Sequence, residues 1–330
     1  MDPLSHVVIG RALIAAVDKE PSRTVRRAGA AAILGALAPD IDGLLVPLGW
    51  DVYLRGHEIG THSIAGALLV GAASGVVVAV WSGLRSARPF RPCLTALMTA
   101  GTVGSLSHII LDLMCGARIR IGWPVLDARV TFPLIAMADP WFVAPCAVAL
   151  VTALVVRRRM RVIAGGLLAT ILLLLSVKGV MLQRALSLAP TRFESLSALE
   201  ARFRSLTEWY RYVRTADAVR AWRLNGATRT STVTMSQSIV ADTPLVAASR
   251  SFGTVRNFMR THEFGFPRER ADGDRTIVEW SDLSYCWPNE ASTEIAGCAL
   301  WFGGAFDREG RALRQQVQVG GWVRTRPISP

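Results

Sequence analysis

Apolar runs near membrane-crossing length fill the first 182 residues and then stop. Ile64 to Leu84, Leu94 to Cys115 and Val162 to Val177 approach the roughly 17 to 25 residues that a spanning helix needs. Ala28 to Trp50 and Asp139 to Val156 are more interrupted, and Leu4 to Val17 is the shortest. Lipid offers no hydrogen-bond partners to a backbone, so segments of this kind must satisfy themselves as helices. Expected, therefore, is an α-helical membrane bundle of about six helices over residues 1–182, followed by a soluble α+β domain over residues 183–330. The first run lacks a basic leader and a small-residue cleavage site, so it reads as a helix and not as a cleaved signal.

The net charge of +12 raises the question of nucleic acid, but the basic residues are spread over both halves. They gather in short loops between apolar runs, as solvated loop charge does, and no nucleic-acid partner is expected. "DKEPSRTVRR" follows the first run, "RSARPFRP" the third and "RRRMR", Arg157 to Arg161, the fifth. Arginine and lysine concentrate on cytoplasmic loops, and these three alternate correctly along a six-helix path. Both ends of the path are then extracytoplasmic.

On that path four of the five histidines and four carboxylates fall at one membrane face. They are His6 in the first run, Asp40 and Asp42 in "APDIDG", His57 and His62 in "RGHEIGTHS", His108 and Asp112 in "SHIILDLM", and Asp139 before the fifth run. An ionisable group at membrane depth costs about 2.5 to 3.5 kcal/mol on insertion scales, so such a gathering needs a role. His108 and Asp112 stand one helical turn apart on one side, which suits a shared ion and equally a hydrogen-bonded pair. Asp40 and Asp42 diverge on a regular helix, but Pro39 and Gly43 favour a bent segment that turns both to one site. Asp139 before Pro140 suits either a helix cap or a ligand.

Imidazole with carboxylate suits zinc, manganese or iron, and without a Cys-x-x-Cys pair a thiolate site is disfavoured. Eight candidates exceed what one tetrahedral ion takes, which favours two or more divalent ions, zinc foremost. Such ions acidify water and hold the oxygens of a phosphoryl or acyl ester. Glu58 is the candidate general base, and Arg118, Arg120 or Arg129 the candidate anion contact, against the reading of each as a solvated surface charge.

These segments resemble the YdjM-type inner-membrane metal-dependent hydrolases: "APDIDG", "HEIGTHS", "SHIILDLM" followed by Trp123-Pro124, and a first helix carrying His6. The resemblance covers about residues 1 to 160. More distantly the pattern is similar to the all-helical zinc phospholipase C and single-strand nuclease superfamily. It implies a membrane-embedded enzyme of a bacterial inner membrane whose ligands are His57, His62, His108, Asp112, Asp40 and Asp42. The chain departs from that pattern at Glu58, where arginine is usual, and at Cys115 and Arg118, where threonine and glycine are usual. These changes spare the ligands and bear on substrate preference.

Beyond Lys178 the hydropathy falls. Thr191 to Trp222 reads as an amphipathic helix, with Leu196, Leu199, Phe203, Leu206, Tyr210 and Val213 three and four apart. "STVTMSQSIV", "RTIVEW", "CALWFGGAF" and "LRQQVQVGGWVR" read as strands, with "DGD" and "DREG" as turns between them. Cys286 and Cys298 are free to pair in an oxidising compartment. His262 has no companion and reads as structural or surface. The leading expectation is a membrane-bound hydrolase of phosphoesters or other esters, with membrane lipids as its surroundings. An ion or metal transporter and a scaffold that binds a partner through the C-terminal domain are the alternatives. Transport needs ionisable groups in the cytoplasmic half, where Lys178 is the main candidate and is expected to snorkel.

Overall fold

Small residues explain how the apolar helices come together. A computed structural model of the chain describes residues 1–17, 23–57, 59–84, 94–188, 197–239, 243–289, 291–320 and 322–326. Lys19 of the first basic loop, all of the second, Cys93 and Glu58 lie outside the described residues. The apolar helices are α1 (Pro3–Val17), α2 (Arg23–Leu37), α4 (Ile64–Leu84), α5 (Leu94–Met114), α6 (Pro140–Val155) and α7 (Met160–Leu186), and a short α3 (Trp50–Gly56) precedes α4. Among the described residues, four stretches are long and apolar enough to cross a membrane: Arg26–Leu48, Ile64–Leu84, Leu94–Met114 and Met160–Leu186. Pro3–Val17 and Pro140–Val155 are shorter apolar helices. The expected bundle of about six helices is thus present, with its second run bending into a 3-10 segment, Ala38–Leu48. Pro39 begins that bend because proline has no N–H to continue the helix and crowds the preceding turn.

The centre of the bundle is α5, which packs against α1, α2 and α4. Its buried residues Leu97, Ala100, Gly101, Gly104, His108, Leu111 and Asp112 form faces at three- and four-residue spacing. A Cβ added to Gly104 would lie 2.1 Å from the Ala32 carbonyl oxygen, so α2 and α5 approach to backbone contact. Apolar helices in lipid gain most from close van der Waals packing, and small residues permit it.

The chain divides into two compact units, one made of Met1–Gly43, His57–Arg184 and Glu200–Glu208, the other of Leu44–Gly56, Ala185–Leu199 and Trp209–Pro330. The C-terminal part is rich in strands. A four-stranded sheet runs β1 (Ser197–Ala201), β2 (Glu208–Arg214), β3 (Ala218–Asn225) and β4 (Thr230–Ser238) in that order. Two helices follow, α8 (Pro244–Ser249) and α9 (Gly253–Thr261). A second sheet holds β5 (Gly265–Asp272), β6 (Arg275–Asp282), β9 (Leu300–Phe306), β10 (Ala312–Val319) and β11 (Trp322–Arg326) in the order β11-β10-β9-β6-β5. Its neighbours are antiparallel. Phe252, Val255 and Phe258, from α9 and the residue before it, pack with Trp280, Phe302 and Phe306 into one core. β7 (Cys286–Pro288) pairs with β8 (Ile295–Cys298), and a disulfide joins Cys286 to Cys298 across that pair.

The helix expected over Thr191 to Trp222 is not formed. Its described residues from Ser197 on make β1, β2 and most of β3. Apolar residues at three- and four-residue spacing there straddle a turn, where Arg204 takes a positive φ of 62°. Within "EWYRYVR" aromatic and β-branched residues favour a strand, and sheet pairing overrides the helical reading. "DGD" and "DREG" do form turns, the first closing the β5–β6 hairpin through the Asp272–Arg275 pair and the second joining β9 to β10.

Candidate metal centre

The centre starts on α5. His108 and Asp112 face the same side, with Nε2 of the ring 2.9 Å from Asp112 Oδ2. His108 Nδ1 donates to the Ala36 carbonyl at 2.7 Å. Ala36 lies in the last turn of α2, where helix carbonyls lack their own partners. A carbonyl only accepts, so His108 Nδ1 carries a proton, and Nε2 is the ring nitrogen that faces the other donors.

The second imidazole comes from the turn before α4. Gly60–His62 is a single 3-10 turn, and Ser63 caps α4 by accepting the Gly66 N–H at 3.0 Å. His62 is wholly buried, with Nε2 3.3 Å from His108 Nε2. The carboxylates come from the bent end of α2. Asp40 Oδ1 is 3.5 Å from each of these two nitrogens, and Asp112 Oδ2 is 3.6 Å from His62 Nε2. Burial pulls the His62 imidazole toward the neutral form, but hydrogen bonds that it donates to Asp40 and Asp42 outweigh it and hold its pKa at about 9. Without an ion, a proton on His62 supplies the positive charge that these carboxylates call for.

Asp40, His62, His108 and Asp112 therefore offer one donor atom each, all within 4.8 Å of one another. A tetrahedral ion with bonds of about 2.0 to 2.1 Å sets its ligand atoms about 3.3 Å apart. Five of the six separations within this group run from 2.9 Å to 3.6 Å, close to the spacing of a tetrahedral cation's ligands.

A second group, Asp42, His57 and His62, adjoins the first. Asp42 Oδ2 lies 2.9 Å from His57 Nδ1 and 3.4 Å from His62 Nδ1. It thus meets the ring nitrogen that points away from the first group, in the manner of a carboxylate that orients a ligating histidine. The same atoms are placed to share a second ion. His6 is fully buried on α1, stacked on His108 with ring centres 3.9 Å apart, and its Nε2 is 3.2 Å from Asp112 Oδ1. Apart from that contact with Asp112, neither His6 ring nitrogen has a hydrogen-bond partner among the described residues. The amino group of Met1 is 2.5 Å from the same oxygen.

Asp139 is held apart from these groups by other bonds. Its Oδ1 caps α6 by accepting the Trp141 N–H at 3.1 Å, and its Oδ2 accepts from Lys178 Nζ at 2.6 Å. Lys178 is fully buried and also donates to the Ser205 carbonyl at 2.9 Å, so it does not snorkel. Sequence reasoning missed this partner, although a lone cation inside an apolar run is itself a signal of pairing. Glu58 lies outside the described residues. Arg118 is half-buried beyond the end of α5, Arg120 pairs with Asp127 at 2.7 Å, and Arg129 is exposed. His262 is buried in the C-terminal part between the Phe258 carbonyl and the Tyr285 hydroxyl.

The family of the YdjM inner membrane protein matches residues 1–185. This chain belongs to the YdjM family. The YdjM segment contains every donor of both groups and ends before β1, so the strand-rich part is an addition to the family's matched length. No curated protein and no solved structure matches the chain.

Proposed function

We propose that this protein is a multi-pass inner-membrane hydrolase that depends on a divalent cation, zinc by its donor chemistry. Phosphoesters or other esters presented at the outer face of a bacterial inner membrane are its substrates. The observation that carries the reading is the set of four converging donors, two imidazole and two carboxylate, at the spacing of a tetrahedral site. Asp40, His62, His108 and Asp112 hold the ion, the Ala36 carbonyl and Asp42 orient the two rings, and Asp42 with His57 can hold a second ion. A bound cation supplies Lewis-acid chemistry, polarising an ester oxygen and making water more acidic. Hydrolysis adds water across the ester: its oxygen joins phosphorus or carbonyl carbon, and the released alcohol takes a proton. Arg118 is the proposed contact for an anionic group, and Glu58 the proposed base.

Three features support the outer-face placement. In the sequence, the basic loops follow the ends of the first, third and fifth apolar runs, away from the donors, as cytoplasmic loops would. The disulfide suits an oxidising compartment. Lys178, the cation that transport through the far half would have used, pairs with Asp139 at the N-terminal end of α6.

Elemental analysis of the purified protein beside His62→Ala and His108→Ala variants tests the proposal, followed by a panel of phosphodiesters and carboxylesters. Stoichiometric metal and turnover in the wild type, both lost in each variant, are expected. A folded wild type without metal would overturn the reading, and metal without turnover of any ester would favour transport.

A further inference from the structure

The segment between α5 and α6 combines a rigid root with an apolar outer surface. The Ile119–Val130 bridge closes it with hydrogen bonds of 3.1 Å and 2.9 Å. Phe132 N–H donates to Leu113 O at 2.9 Å, and Leu134 and Ile135 N–H donate to Met114 O at 2.8 Å and 2.9 Å. Ile119, Leu134 and Ile135 are buried, and Ile119 packs on Ala67 of α4 and Ile109 of α5. Above this root the large side chains face outward: Val125 is 88% exposed, Met137 71%, Leu126 62%, Phe132 53% and Trp123 41%.

A loop so firmly built would bury such residues if water were its surroundings. Exposed apolar side chains grouped on one segment mark a contact with something apolar. Chain continuity identifies what that is. The preceding helix is long and apolar enough to cross a membrane and the following one is a shorter apolar helix, so residues 115–139 leave and re-enter the bundle at the bilayer surface. Tryptophan favours the headgroup level, and arginine favours anionic phosphate there; Trp123, Arg118, Arg120 and Arg129 supply both. The loop also adjoins the metal centre, because Ile64, two residues after His62, donates its N–H to Ile121 O at 3.0 Å.

We propose that residues 121–137 sit in the headgroup layer of an anionic phospholipid bilayer and bring a phospholipid ester to the metal centre from the lipid side. The second half of this statement rests on the hydrolase reading; the first does not.

The test uses the full chain in vesicles of phosphatidylcholine and phosphatidylglycerol. An environment-sensitive fluorophore is placed on Val125→Cys, in a background where Cys93, Cys115 and Cys146 are serine and metal content is unchanged. Quenching by lipid-borne nitroxide and protection from iodide are expected, against the reverse for the same label on Asp274→Cys in the exposed β5–β6 turn. Iodide quenching at Val125 equal to that at Asp274 would overturn the insertion. So would protection from both quenchers, which would point to a protein partner or a second copy on the loop. For substrate delivery, the Val125→Asp/Leu126→Asp variant should lose about tenfold or more of its turnover of vesicle phosphatidylglycerol while keeping its turnover of a water-soluble para-nitrophenyl phosphodiester. Equal loss on both substrates would overturn lipid-side delivery. If the wild type cleaves neither, the hydrolase reading fails and the fluorophore alone decides the insertion.

Discussion

His62 carries one acid-base function in the metal-free protein and would carry another as the proposed ligand. Its folded pKa of about 9 stands above the ordinary value near 6.5, so the charged ring stabilises the metal-free protein fully below about pH 6.5. That contribution is lost as pH rises through about 9. A ligating histidine must be neutral, so zinc affinity, measured against a chromophoric chelator, should rise with pH between about 6.5 and 9, by up to about tenfold per unit. A flat profile would show that His62 is not a ligand. The Lys178–Asp139 pair makes a separate prediction. Both groups are fully buried, so Lys178→Met strands a carboxylate and should cost about 3 to 5 kcal/mol, while Lys178→Met/Asp139→Asn recovers most of the loss. Unfolding in detergent followed by circular dichroism measures both variants. At this scale the donors were legible because histidine and aspartate are rare at membrane depth. The role of the Ala36 carbonyl was not, since a backbone atom leaves no signature in residue type.

Helix approach depends on absent side chains. Gly104→Val should lower the unfolding temperature through overpacking of about 1 to 3 kcal/mol against Ala32, whereas Gly166→Ala, with nothing within 4 Å of its Cβ, should leave it nearly unchanged. The apolar helices were readable from length and hydropathy because lipid leaves a backbone so few alternatives. Strands β6, β9 and β10 were readable from β-branched and aromatic runs bounded by Gly-containing turns. The segment from Ser197 to Trp222 was misread, because Leu199, Phe203, Leu206 and Tyr210 repeat at a helical interval by coincidence across a turn. Only pairing with neighbouring strands, which is not local, reveals the shorter period.

For the molecule as a whole, orientation is the property that most needs measurement. Alkaline phosphatase fused after Pro330 should be active and a fluorescent protein there dark if the C-terminal part is extracytoplasmic; the opposite pair of results would invert the proposed topology. The YdjM match stops at residue 185, and the strand-rich remainder was readable in sequence as a fold and not as a role. The four donors belong to three stretches of chain far apart in sequence: the bend after α2, the turn before α4, and α5. An ion bridging them, as proposed, would be a cross-link as well as a reagent. Backbone-close approaches at Gly71, Gly75 and Gly104 hold those helices together below the rim. Chelation would therefore spring the bundle at one end, like a clasp opened on a bracelet whose other links stay shut.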